Sequence, residues 1–323
     1  MSPTGSAGPL ERIFAAVPPE SGAIVMGTGI VSTGLAVDGR ETLSRGLLVI
    51  CAVAWVALAL LLGAALLRDR PQVERAARTL PALTGVAATE VLGSRLIMLG
   101  WNWAGTVLLV IALVLWLALL RPVLTHWAVP TIGVSFLLTV STESLAVLSG
   151  SVAAAEGARW LLDVALAPFV LGLAFYAFVF ARFDFRQLGL GHGDQWITGG
   201  ALAISTLAAA GITLSGRTLH ALVGIAGALK VTTVVLWCLT IVWLPLLVFA
   251  EVARPRLAYD VRRWSTVFPV GMYAACSFQA GSAAHVPAIT DFAKVWVWVG
   301  VAVWVIVFAA MLARGVELAR AER

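Results

Sequence analysis

The chain has 323 residues, 60% of them hydrophobic and 12% charged, with a formal net charge of +5 and a mean hydropathy of +0.96. A soluble domain carries roughly 25% charged residues, so the composition excludes a water-soluble globular protein and assigns an integral membrane protein. The basic residues are scattered between apolar runs rather than gathered into a stripe, so they present no nucleic-acid surface and read instead as topology signals.

The opening stretch MSPTGSAGPLERIFAAVPPE lacks a basic start followed by an apolar run, so it reads as a short cytoplasmic arm rather than a cleavable signal. A helix needs about 20 residues to cross the hydrocarbon layer. Ten segments meet that length, at about 20–37, 46–67, 82–100, 103–120, 130–149, 160–181, 195–214, 222–249, 263–281 and 293–313. No connection between them is long enough for a soluble domain, so residues 1–323 are expected to form a single transmembrane domain with short tails. Lys and Arg number fifteen in the termini and the loops after segments 2, 4, 6 and 8, against five on the other side. This asymmetry places both termini in the cytoplasm of a cell (plasma or inner) membrane.

The ten segments are of two kinds. Odd segments, counted over 22–37, 82–100, 131–149, 196–214 and 264–281, hold twenty Ser and Thr residues and even segments four. Intramembrane hydroxyls turn toward partners or a wet cavity, whereas uniformly apolar helices can face lipid. The expected fold is therefore all-α, ten transmembrane helices arranged as five hairpins, odd helices forming an inner pore ring and even helices an outer ring. The alternative is that Ser, Thr and Gly mark tight helix packing. Helical phase adds candidates for the lining. Ser135, Thr139 and Thr142 share a face of segment 5 with Ser149, and Thr28 and Ser32 are four apart beside Gly27 in segment 1. Ser205 shares a face of segment 7 with Thr198 and Thr213, and Ser265, Phe268, Met272, Cys276 and Gln279 form a stripe on segment 9.

Glu90 and Glu143 fall within segments 3 and 5. A carboxylate at that depth is paired, protonated or wet, so both are candidates for a buried hydrogen-bonding role or a proton-linked one. Arg95 is five residues from Glu90, a poor spacing for an intrahelical pair. The four histidines lie in or beside loops at unrelated spacings, and the three cysteines lie in apolar segments, so no metal site or cofactor is expected. No HExxH, GxSxG or cysteine pair is present, which argues against an enzyme.

Three stretches, GAIVMGTGIVSTG (22–34), DQWITGGALAIS (194–205) and WSTVFPVGMYA (264–274), resemble the tellurite-resistance/dicarboxylate transporter family. Its relatives include plant slow-type anion channels, fungal malate permeases and sulfite efflux pumps. The resemblance implies a homotrimer with a pore in each protomer, blocked by an aromatic side chain on the ninth helix. In this chain that residue is Phe268, followed by Pro269, which bends a helix by removing a donor and crowding the carbonyl four residues back. The implied function is conduction of small inorganic or organic anions. The alternative is a proton-coupled carrier or exporter of dicarboxylate (malate-like), tellurite or sulfite-type anions.

Overall fold

A computed structural model describes residues 19–127, 129–189, 193–256 and 259–321. Among these residues the chain is helical throughout and contains no strand, only one isolated bridge between Thr131 and Phe183. The long helices are α1 (Gly22–Val37), α2 (Glu41–Arg68), α3 (Thr84–Ile97), α4 (Asn102–Thr125), α5 (Leu137–Glu156), α6 (Arg159–Phe180), α7 (Trp196–Thr218), α8 (Ala226–Ala253), α9 (Trp264–Ala284) and α10 (Pro287–Ala321). A short helix, Arg70–Ala77, follows α2, started by Asp69 accepting a hydrogen bond from the Gln72 amide.

Seven of these helices are long and apolar enough to cross a membrane: α2, α4, α6, α8 and α10, with α5 and α7. The other three fall short for visible reasons. α1 and α3 have 16 and 14 residues, about 24 and 21 Å at 1.5 Å per residue, although each is preceded by a 3-10 turn. α9 is long but carries Ser265, Thr266, Ser277 and Gln279.

Burial divides the helices. The apolar stretches of α5 and α7 are 94% and 89% buried, while those of α2, α4, α6, α8 and α10 are 17–33% buried. Packing follows the same division. Each odd helix packs on the helix that follows it, and α1, α3, α5, α7 and α9 contact one another in a closed cycle, α9 returning to α1. Glycine permits the close approaches in that cycle: a Cβ at Gly200 would meet Pro269 Cγ at 2.9 Å, and one at Gly271 would meet Ile30 Cγ2 at 2.7 Å.

Tryptophans fasten the exposed helices to the buried ones. Trp55 of α2 donates its indole N–H to Thr89 of α3, Trp116 of α4 to Thr142 of α5, Trp237 of α8 to Ser277 of α9, and Trp304 of α10 to Thr28 of α1, all at 2.8–3.0 Å. In each case the donor's helix immediately precedes the acceptor's helix around the cycle. An indole satisfied in this way can present its ring edge to lipid without stranding a polar atom.

Candidate functional site

Two cavities lie at opposite ends of the five buried helices. One, of about 440 Å³, is walled by the C-terminal halves of all five, including Thr33, Glu90, Ser151, Gly211 and Gln279, together with Asn102 at the start of α4. The other, of about 30 Å³, is walled by residues at their N-terminal ends, including Ala23, Thr84, Leu137, Ile197, Ser265 and Phe268. The five helices therefore run in the same direction, with their N-terminal dipole ends turned toward the smaller cavity.

The cavities share no wall residue. On α1 and α9 the material between them is apolar, while α5 contributes the buried hydroxyls of Ser141 and Ser144, which donate to the carbonyls of Leu138 and Val140 in their own helix. On α9 the wall passes from Ser265 and Phe268 in one cavity to Ala275 and Gln279 in the other, and helical phase puts Met272 between them. On α1 it passes from Met26 to Ile30. Met26, Ile30, Ala87, Val140, Ile204, Phe268 and Met272 all belong to one buried cluster, none more than 3% exposed.

α9 remains helical through Pro269. Because proline has no N–H, the Ser265 carbonyl one turn earlier lacks its intrahelical donor, at the position where Ser265 and Phe268 face the smaller cavity. The other interior prolines, Pro122, Pro168 and Pro245, lie in α4, α6 and α8.

The residues expected to line a lumen divide into groups. Ser265 stands in the wall of the N-terminal cavity. Thr28 and Thr142 turn the other way instead, accepting from Trp304 and Trp116 of the exposed helices. Ser32 is also directed outward: its hydroxyl donates to the Ser44 carbonyl on α2 at 2.7 Å, and the Ser44 hydroxyl donates to the Ser32 carbonyl at 2.7 Å. Gly27 faces α9, where a Cβ would come within 3.0–3.1 Å of Val267 and Trp264. Ser135 accepts from the Ile132 amide in the turn before α5. Thr139 is fully buried and its hydroxyl has no hydrogen-bond partner. Ser205 donates to Glu143 at 3.0 Å.

The two acids occupy different surroundings. Glu143 is fully buried; its Oε1 accepts from Ser205 while Oε2 has no hydrogen-bond partner. Space for it comes from Gly172 on α6, where a Cβ would lie 2.6 Å from Glu143 Cγ. Glu90 stands in the wall of the larger cavity and accepts from Ser94 at 2.9 Å. Arg95 serves neither acid. Its guanidinium forms two 2.8 Å bonds to Glu41 at the start of α2 and a 3.0 Å bond to Ser44.

Several wall residues were missed as site residues in the sequence. Arg262 and Asp194 stand in the wall of the N-terminal cavity, but by residue type alone they read as topology charge and loop. Arg262 bonds Asp260 at 2.9 Å, and this carboxylate holds the guanidinium above its ordinary pKa, fixing the positive charge. Asn102 follows the short turn after α3, and no periodicity points to it. Among the described residues no group of three or more His, Cys, Asp and Glu side chains is placed to hold a metal ion.

Comparison with known sequences adds the lineage. Over 122 residues, 36% of this chain, it is 38% identical to two proteins of Mycobacterium tuberculosis, from strains CDC 1551 / Oshkosh and H37Rv, each named an uncharacterized membrane protein. The chain spans about three-fifths (61%) of the length of these curated relatives. A profile described as "voltage-dependent anion channel" matches residues 16–312, most of the chain and all five of the buried helices. The chain belongs to the voltage-dependent anion channel family of membrane transport proteins.

Proposed function

We propose that the chain conducts small anions along the axis enclosed by α1, α3, α5, α7 and α9, and that Phe268 closes this path. In this reading the ten long helices are five membrane-crossing hairpins, with the Trp-bearing even helices outside. The protomers assemble as a homotrimer in the cell membrane, each with its own path. The excess of basic residues at the termini and in the loops after the even helices puts the N-terminal cavity on the cytoplasmic side.

One observation carries the proposal: two cavities formed by the same five helices are separated by an apolar barrier that includes Phe268 and Met272. An anion pays heavily to leave water for such a barrier, so a stretch this short and apolar blocks ions by exclusion and dewetting. Phe268 is the large side chain at the cavity edge of that barrier, beside the carbonyl freed by Pro269. Five helix N-terminal ends favour an anion on that side, where the wall carries Arg262 together with Glu20 and Asp194.

The test is anion flux in proteoliposomes. F268A is expected to raise chloride or nitrate flux at least about tenfold over the native chain, the change produced by about 1.4 kcal/mol off a barrier. Equal, negligible flux in both proteins for every small anion tried would reject the path.

A proton-coupled carrier for a dicarboxylate, tellurite or sulfite-type anion is the second reading. It is supported by the unpartnered Oε2 of buried Glu143 and by Glu90 in a cavity wall. Under that reading uptake follows an imposed pH gradient and E143Q abolishes the dependence. A channel instead gives currents that reverse with the anion gradient alone.

A further inference from the structure

The larger cavity has a chemical bias opposite to the one an anion path needs. Glu90 is the ionisable side chain in its wall, and it accepts a hydrogen bond at Oε1 from Ser94. The neutral groups around it have committed their hydrogens elsewhere. Thr33 donates to the Gly29 carbonyl, Ser94 to Glu90 itself, Ser151 to the Val147 carbonyl and Ser215 to the Gly150 carbonyl, all at 2.9–3.0 Å. Asn102 spends one amide hydrogen on the Ala155 carbonyl at 3.2 Å. The wall therefore presents several oxygen lone pairs and one carboxylate, with the Gln279 amide and the second Asn102 N–H as available donors.

Among the described residues no cationic side chain stands in the cavity wall. Arg95, on the same helix as Glu90, is turned away to Glu41 and Ser44. Arg217, just beyond the cavity wall on α7, is bound to the Ala283 carbonyl at 2.6 Å and to His285 at 3.2 Å. Glu143 of α5 points to Ser205.

We propose that Glu90 sets the charge selectivity of this cavity: ionised against the cavity's water, its carboxylate draws cations in and holds anions out. It thereby acts as a brake on the anion path at the end opposite Phe268. The proposal deepens the conduction reading and rests on it for its meaning, but the potential in the cavity can be measured without any flux.

The measurement is the rate at which a cysteine in the cavity wall reacts with charged thiosulfonates. S151C, in a C238S background because Cys238 is an exposed free thiol, is labelled with a trimethylammonium-ethyl and a sulfonatoethyl reagent in proteoliposomes. With Glu90 present, and the labelling run at alkaline pH so that its carboxyl is ionised, the cation is expected to react faster. E90Q is expected to lower the cation-to-anion rate ratio about tenfold, the scale set by a unit charge a few ångströms away in a watery cavity. A ratio unchanged by E90Q overturns the proposal. A154C, on the same wall, repeats the measurement if S151C folds poorly. In the flux assay E90Q added to F268A is expected to raise anion flux several-fold over F268A alone, and an unchanged or lower flux also counts against it. Should F268A carry no anion at all, the path of the preceding subsection fails, while the labelling ratio still decides the role of Glu90.

Discussion

Trp304 on α10 donates its indole N–H to the Thr28 hydroxyl of α1 at 3.0 Å, across 276 residues of sequence. The bond ties the last helix to the first, and the bonds from Trp55, Trp116 and Trp237 do the same for three other neighbouring pairs. Removing the acceptor differs from removing the donor. T28V leaves a buried indole N–H without a partner, which costs ~1–3 kcal/mol. W304F leaves only a hydroxyl, which can turn to a backbone carbonyl in its own helix. Thermal unfolding in detergent should rank T28V below W304F once W304F is corrected for its smaller ring. Equal midpoints after that correction would mean that the bond contributes little.

Arg95 and Glu41 should behave as a coupled pair. The guanidinium is 1% exposed and holds Glu41 with two bonds of 2.8 Å. E41Q leaves the arginine buried with a neutral partner, whereas R95M removes the charge as well. Arg95 is the buried member and Glu41 is 40% exposed, and leaving the buried charge without its partner is worse than replacing it with an apolar group. The expected order of melting temperature is native chain, then the double variant E41Q/R95M, then E41Q alone. A double variant that loses the sum of the two single losses would show the residues to be independent.

The alternation of helix types was legible in the sequence because it is a matter of counts. Twenty hydroxyls against four already separated the helices that the structure buries from those it exposes. The direction of those hydroxyls was not legible. Thr28, Ser32 and Thr142 lie at positions that a helical wheel assigns to one side of their helices, but only the neighbouring Trp304, Ser44 and Trp116 show which side that is. The tryptophans themselves carried the signal: Trp55, Trp116, Trp237 and Trp304 stand in otherwise apolar helices, where each N–H needs an acceptor. Helix ends were the other gap. α10 continues to Ala321, beyond the apolar run that ends near 313, because helix propensity does not stop where hydropathy falls. For Glu90 and Glu143, hydropathy gave depth but not surroundings, since one stands in a cavity wall and the other is enclosed by α6 and α7.

Gly200 tests how closely α7 and α9 must approach beside Phe268. A Cβ there would meet Pro269 Cγ at 2.9 Å and Cβ at 3.0 Å, and proline is a rigid neighbour that cannot turn aside. G200A should therefore separate the two helices next to Phe268. It is expected to lower the unfolding midpoint, by the ~1–3 kcal/mol of an overpacked contact, and to change anion flux together with it. G85A, at a site with open space around the added methyl, serves as the control and should change neither.

Glu143 and Gly172 offer a separation of volume from charge. Glu143 is fully buried, and its side chain occupies the space that a Cβ on Gly172 would need, at 2.6–2.7 Å from Cγ, Cδ and Oε1. G172A alone forces α6 away from α5 and is expected to cost ~1–3 kcal/mol. E143Q keeps the shape and retains an acceptor for Ser205, which also has the Ala201 carbonyl to donate to at 3.0 Å, so it should unfold within ~1 kcal/mol of the native chain. E143A removes the obstructing atoms, and combining it with G172A should cost less than the two single losses summed, the sign of a shared space. If E143Q proves as damaging as E143A, the carboxylate contributes through its charge and the packing account of Gly172 is wrong. If E143Q is tolerated while transport loses its response to a pH gradient, the group is dispensable for folding and serves as a proton site.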